Sequence, residues 1–246
     1  FVVSRIQDWA AHGRRRAEVA VLYRSNAQSR VLEEKLIQAG VPYRVYGGLR
    51  FFERQEIKDA LAYLRLMVSR HNDPSFERVA NVPTRGLGTK TLDVLREHAK
   101  GGNVSLWEAA QKLLAEATLP ARAANALKGF LELIERLARE TKDLILAEQV
   151  EHMLALSGLI EHYKKEKSEK AESRVENLEE LISAARGFEH NDADSFDALS
   201  AFLAHAALEA GEGEADPWED CVQLMSLHSA KGLEFPLVFL TGLEEG

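Results

Sequence analysis

The stretch AEVAVLYRSNAQSRVLEEKLIQAGVPYRVYGG, residues 17–48, decides how the chain begins to fold. AEVAVLY (17–23) is a short apolar run rich in β-branched residues, SRVLEEKLIQAG (29–40) has helical periodicity, and VPYRVY (41–46) returns to strand composition before the Gly47-Gly48 turn. Gly40 suits a left-handed helix cap. Strand, helix and strand joined by short connections predict an α/β unit with parallel pairing.

Outward from there the period changes. From about residue 55 to 210 it is that of helices, beginning with Ile57, Leu61, Leu64 and Val68 along one face of EIKDALAYLRLMVSR. Asp73-Pro74 is expected to open a helix as cap and first residue, and Ser105 with Glu108 forms a capping box. Val175, Leu178, Ile182 and Ala185 mark a helix in ESRVENLEELISAARGF, and DSFDALSAFLAHAALEA makes one more. The acidic, turn-rich segment GEGEADPWED (211–220) then separates the helices from VQLMSL and LVFLTGL, two apolar runs expected to be buried strands. The fold class expected is therefore mostly α: a helical domain inserted within a partial α/β domain formed by the two ends of the chain.

Composition narrows the classes of function. The 246 residues are 46% hydrophobic and 28% charged, which suits one large core or two smaller ones and excludes a disordered chain. No run approaches the roughly 18 consecutive apolar residues of a membrane span. The start, FVVSRIQDWA, lacks the basic head and cleavage site of a signal peptide, so a cytoplasmic location is expected. Cys221 is the single cysteine and reads as a small buried hydrophobe. The net charge of -8 gives no support to nucleic-acid binding, but its distribution is uneven. Residues 1–60 carry 11 Lys and Arg against 7 Asp and Glu, while the remaining 186 carry 20 against 32. Arg14, Arg15 and Arg16 form a short basic run at the positive end.

Two segments carry candidate chemistry. Ser226 to Phe235, SLHSAKGLEF, lies between the last two apolar runs and offers hydroxyls, a histidine, a lysine and a flexible glycine at the carboxyl end of a strand. Open α/β sheets bind ligands at that edge, so the loop is either a phosphate or nucleotide site or an ordinary polar connection. Arg85-Gly86-Leu87-Gly88-Thr89-Lys90-Thr91 superficially suggests a phosphate loop, but G-x-x-x-x-G-K-[ST] fails because Thr89 stands between Gly88 and Lys90. Either the glycines expose backbone amides ahead of a helix beginning near Thr89, or the segment is a structural turn.

LHSAKGLEFPLVFLTGLEEG resembles motif V of superfamily 1 DNA helicases of the UvrD/PcrA/Rep type almost residue for residue. LYRSNAQSRVLEEKL together with VPYRVYGGLRFFERQEIKDALAYLRL resembles the stretch that leads from the family's second RecA-like domain, 2A, into its helical insert, 2B. NVPTRGLGTKTLD resembles the insert's glycine motif for duplex DNA. The resemblance implies parts of domain 2A at 1–45 and 219–246 and domain 2B at 46–218. It further implies that Arg24, Asn26 and His228 contact single-stranded DNA, and that Glu234 reaches the ribose of a bound nucleotide. Arg85, Gly86, Gly88, Thr89 and Lys90 would meet duplex DNA. Arg24 offers a planar cation for phosphate or base, although an isolated arginine of this kind is commonly a surface ion-pair partner.

The same resemblance implies ATP and Mg²⁺ as cofactors of a longer parent protein. The family's phosphate loop, its acidic metal motif and its flanking arginine motifs do not occur in these residues. The chain therefore reads as a piece beginning inside domain 2A and stopping after motif V, with no catalytic residue, no metal site and no nucleotide bound to the piece by itself. The partner that the resemblance implies is DNA, single-stranded and at duplex junctions, with repair or replication proteins as further candidates. The rival readings are a non-enzymatic protein-interaction domain, which the acidic helices favour, and part of a helicase-nuclease subunit.

Overall fold

A computed structural model describes residues 1–166, 169–190, 197–211 and 219–242. Most of the segment 211–220, and the last residues of the motif V stretch, lie outside them. The chain divides into two compact units, Phe1–Arg54 with Ala206–Gly246, and Gln55–His205. The fold is mostly α with a small parallel sheet, as the sequence predicts.

Among the described residues the first unit holds four parallel strands, β1 (Val19–Tyr23), β2 (Tyr43–Val45), β3 (Val222–Ser226) and β4 (Leu237–Leu240), in the order β2-β3-β1-β4. Parallel neighbours need a crossover, and helix α2 (Ser29–Gln38) supplies the one between β1 and β2. These two strands do not pair with each other. β3, from the far end of the sequence, lies between them, with Tyr23 opposite Ser226 and Tyr43 opposite Val222. The two ends of the chain thus build one sheet. β1 and β3 lie inside the sheet and are mostly apolar, and Val19, Val21, Val222 and Leu224 are fully buried, while Gln223 and Ser226 of β3 are half-buried. β4 departs from the expectation of a buried strand. It stands at the edge of the sheet among the described residues and alternates, leaving Val238 and Leu240 exposed.

Helix α2 ends as its glycine predicts: Gly40 has φ +62°, and Val41 N donates to Leu36 O at 2.9 Å. Helix α1 (Val2–Ala11) is an addition to the expected elements, with buried Ile6 and partly buried Val2, Val3 and Trp9 facing the core. Arg14 of the basic run lies 4.1 Å over the Trp9 ring. Asp220 accepts from Arg16 N (2.9 Å) and Ala17 N (2.8 Å), tying the returning chain to the start of β1. Cys221 is buried, and burial pushes its thiol up.

The second unit is helical throughout its described residues: α3 (Gln55–Val68), α4 (Asp73–Val79), α5 (Thr89–Gly102), α6 (Leu106–Ala115), α7 (Ala121–Glu140), α8 (Leu146–Ser157), α9 (Leu159–Lys164) and α10 (Glu169–Gly187). Helix α11 (Ala198–Gly211) begins in this unit and ends in the first. α3 is buried around most of its circumference rather than along a single stripe. Ile57, Leu61 and Leu64 are buried, whereas Val68, the last member of the expected face, is exposed. Its two buried carboxylates are both matched. Asp59 pairs with Arg78 at 2.6 Å and accepts from Tyr163 OH at 2.7 Å, and Glu56 accepts from Asn177 at 2.6 Å.

The cap of α4 is Asn72, not Asp73: the Asn72 side chain accepts from Ser75 N at 3.0 Å. Asp73 instead turns to another helix and accepts from Leu106 N at 2.8 Å. The Ser105–Glu108 capping box forms as expected. Among the described residues no helix is long and apolar enough to cross a membrane.

Candidate nucleic-acid interface

The parallel register of β1 and β3 decides what the first site contains. Tyr23 pairs with Ser226, so the loops that follow, 24–28 and 227–236, leave from adjacent strand ends at the carboxyl edge of the sheet. Leu227 N donates to Tyr23 O at 2.9 Å, which fixes the two exits side by side. Arg24 and His228 are thereby brought to one edge. Both are exposed, and neither side chain has a partner among the described residues. Asn26 is exposed beside them at the start of a short 3-10 helix, Asn26–Gln28.

The backbone beneath these residues is held by side chains. Gln28 Oε1 accepts from Arg24 N (3.0 Å) and Ser25 N (3.3 Å). Arg54 Nη1 donates to Asn26 O at 2.9 Å, while its Nη2 donates to the buried Ser29 hydroxyl at 2.6 Å. Ser29 donates in turn to Glu33 at 2.6 Å, and Glu33 also accepts from Phe51 N at 3.1 Å. Burial pushes the Glu33 carboxyl up, against the opposing pull of Ser29, Arg54 and Phe51. Burial likewise raises the neighbouring Tyr23 phenol to about 12.

The 227–236 loop is pinned at its start. Ser226 and Ser229 hydroxyls lie 2.9 Å apart, and Ala230 N donates to Ser226 O at 3.1 Å. A Cβ on Gly47, whose φ is +75°, would stand 3.4 Å from Ser229 Oγ, so the turn after β2 closes against the same loop. The loop then runs across to β4, which begins with Leu237 opposite Val19 at the other end of β1. Glu234 lies three residues before Leu237. The register therefore groups Arg24 and His228 but places Glu234 towards the opposite end of the connection. Glu234 is exposed and has no partner among the described residues.

The second segment lies in the helical unit, between α4 and α5. Asn81 Oδ1 accepts from Arg85 N (2.8 Å), Gly86 N (3.2 Å) and Leu87 N (3.2 Å), closing the turn from inside. Arg85 points inward, unlike the sequence expectation of an outward charge. Its guanidinium donates to Val79 O, Pro83 O and Ser157 O, each at 3.1 Å, and to Tyr63 OH. Burial raises the Tyr63 phenol to about 12, with the Arg85 cation opposing that rise. Gly86 has φ +92° and its amide is engaged by Asn81. Gly88 is the N-cap of α5, with φ -78° and open space where a Cβ would stand. The amides of Gly88, Thr89 and Lys90 have no acceptor among the described residues, and the three residues are exposed.

Residues 1–246 match the family model described as the UvrD-like helicase C-terminal domain. The chain belongs to the UvrD-like helicase C-terminal domain family. It is 59% identical to DNA helicase II of Escherichia coli (strain K12) over 247 residues, and 55% identical to DNA helicase II of Haemophilus influenzae. It is 43% identical over 253 residues to the ATP-dependent DNA helicase PcrA of Bacillus subtilis (strain 168). Each alignment covers all of this chain but only 34% of the relative, so the UvrD-like chain spans about a third of the length of the curated relatives it matches.

Sequence reasoning overlooks Gln28, Arg54 and Asn81 in this UvrD-like chain. The signal for Gln28 is present: Ser25-Asn26-Ala27-Gln28 has the spacing of a capping box. Arg54 and Asn81 act through contacts to main-chain groups that no local pattern marks.

Proposed function

We propose that this chain is part of a cytoplasmic ATP-dependent DNA helicase that moves 3′ to 5′ on single strands and separates duplexes in repair and replication. Residues 1–45 and 219–246 supply parts of domain 2A, and residues 46–218 supply domain 2B, of which Gln55–His205 is the folded centre. The observation that carries this reading is the convergence of Arg24 and His228, unpartnered and exposed, from adjacent strand ends of one sheet edge. A guanidinium, an imidazole and the Asn26 carboxamide at one sheet edge suit the phosphates and base faces of a single strand. ATP and Mg²⁺ act in the whole protein, where the exposed Glu234 carboxylate can accept from ribose hydroxyls. In the second unit, the free amides of Gly88, Thr89 and Lys90 and the Lys90 cation suit duplex phosphate without reading sequence, and Arg85 and Gly86 hold the turn that presents them.

In the full-length protein, Arg24→Ala and His228→Ala are each expected to weaken binding of a labelled oligo-dT by about 1 to 3 kcal/mol while melting with the parent. DNA-stimulated ATP hydrolysis falls in step. Unchanged affinity at several salt concentrations removes these residues from the site. The isolated 246-residue chain is expected to hydrolyse no ATP, because phosphoryl transfer needs a phosphate cradle, a metal and a positioned water together. A DNA-stimulated turnover in a preparation free of longer helicase contradicts that expectation.

A further inference from the structure

The loop that carries Arg24 and Asn26 begins with two amides pointing away from the sheet ladder, and one side-chain oxygen receives both. Gln28 Oε1 accepts from Arg24 N at 3.0 Å and from Ser25 N at 3.3 Å, while Gln28 N donates to Ser25 O at 3.2 Å. Gln28 is itself exposed, so packing does not hold its side chain; the two amides do. On the other side of the carboxamide stands the chain leaving β4. Thr241 donates to Leu22 O through both its amide (2.9 Å) and its hydroxyl (3.0 Å), which fixes the next residue, Gly242, beside Gln28. A Cβ on Gly242 would overlap Gln28 Nε2 and stand 3.1 Å from Gln28 Cδ, and Gly242 has φ +70°. The positive φ at position 242 favours glycine, and a side chain there would push the Gln28 carboxamide aside.

We propose that Gln28 is a positioning residue of the single-strand site, clamping the backbone from which Arg24 and Asn26 reach DNA, and that Gly242 is glycine so that this clamp can close. The inference rests on the single-strand reading of Arg24, Asn26 and His228. Gln28 need not touch DNA. Its oxygen fixes where the Arg24 Cα stands, and a long cation on a loose backbone has more conformations to lose on binding.

The test compares Gln28→Met, which keeps the side chain's reach without an acceptor oxygen, with Gln28→Glu, which keeps the acceptor and adds a charge. In the full-length protein Gln28→Met is expected to weaken oligo-dT binding about 3- to 10-fold at every salt concentration, the size of one or two lost hydrogen bonds. Gln28→Glu is expected to show a deficit at low salt that shrinks as salt screens its charge. Amide hydrogen exchange of Arg24 and Ser25 accelerates in Gln28→Met and stays slow in Gln28→Glu. Gly242→Ala weakens binding as Gln28→Met does, and Gln28→Met with Gly242→Ala binds no worse than Gln28→Met alone, because one clamp can be lost only once.

Parent-like affinity and exchange in Gln28→Met overturn the clamp. Equal losses in the Met and Glu variants at high salt overturn it too, since the acceptor would then be irrelevant. Arg24→Ala separates this failure from that of the underlying reading. If Arg24→Ala weakens binding and Gln28→Met does not, only the clamp falls; if Arg24→Ala has no effect, the single-strand reading falls and the clamp's role with it.

Discussion

Arg85→Ala is expected to lower the melting temperature of the helical unit by roughly 6 to 12 °C, a stability loss of about 3 kcal/mol. The guanidinium donates to three main-chain carbonyls and one phenol, contributed by the end of α4, the following turn, the end of α8 and Tyr63 of α3. It also lies 5.7 Å from the centres of both the Tyr63 and Phe130 rings. Truncation removes the guanidinium donor from Pro83 O, Ser157 O and the Tyr63 oxygen, while Val79 O keeps Val82 N, and leaving such groups short of a donor costs more than the net value of the hydrogen bonds themselves. Arg85→Lys is expected to recover less than half of the loss, because a single ammonium on a flexible stem cannot span four acceptors spread around a planar fork. Differential scanning calorimetry of both variants beside the parent makes the measurement. A parent-like transition in Arg85→Ala, accompanied by weaker duplex binding, would return Arg85 to the DNA surface.

The contrast between Arg85 and its neighbours shows where sequence reasoning reaches its limit. Helical periodicity names α3, α10 and α11, and the glycine at 40 names the end of α2, because these signals are local and each residue acts through its own turn. Pairing order is not local. That β3 enters between β1 and β2 depends on a segment some 180 residues away, and nothing in the strand compositions distinguishes this from direct pairing.

The direction of a long polar side chain is equally hidden. Arg85 and Lys90 sit in one short polar stretch, yet the carbonyls at Val79, Pro83 and Ser157 turn one inward, while the other stays exposed at the first turn of α5. The same argument explains Asn72 and Asp73. Both are good caps, and the choice falls to Asn72 because Asp73 is needed by Leu106 N. α1 is less legible for a simpler reason: Val2, Val3, Ile6 and Trp9 form an apolar stripe, but over only ten residues and without a side-chain cap to mark its start.

At the carboxyl edge of the sheet the legible part is the set of exposed groups, Arg24, Asn26 and His228, since the motifs carry them as residue types at fixed spacing. The illegible part is the support. Arg54 reaches the Asn26 carbonyl from 28 residues away, and the buried Ser29–Glu33 pair beneath it looks from sequence like an ordinary polar face of α2. Burial of Glu33 is sustained because every approach to its carboxylate brings a donor, from Ser29, Phe51 and the Arg54 cation. The frame for the exposed residues is thus polar and satisfied, so substitutions in it are expected to act on stability and on site geometry together.

Gly86 and Gly88 look equivalent in the sequence, and their variants are expected to separate cleanly. Gly86 has φ +92°, so Gly86→Ala strains the backbone by about 1 to 2 kcal/mol whatever space surrounds it, and it loosens the turn that Asn81 closes over three amides. Its melting temperature is expected to fall, with duplex binding and unwinding falling as a consequence. Gly88 has φ -78° and ψ 171°, a conformation open to any residue, and a Cβ there meets nothing within 4 Å. Gly88→Ala is therefore expected to melt close to the parent, because the unfolded chain loses freedom while alanine caps the helix less well than glycine.

The added methyl group is, however, carried by the N-cap residue beside the Gly88, Thr89 and Lys90 amides, where the proposed duplex phosphate would approach the start of α5. In the full-length protein, Gly88→Ala should weaken duplex or junction binding by about 1 kcal/mol, roughly five-fold, and slow unwinding more than it slows single-strand-stimulated ATP hydrolysis. Lys90→Gln should reduce the salt dependence of duplex binding by about one counterion, without changing sequence preference. The comparison that decides is unwinding against single-strand-stimulated hydrolysis in Gly88→Ala at matched melting temperature. Equal losses in both activities, or a loss in neither, reject phosphate contact at this helix end and leave the glycines a purely structural turn.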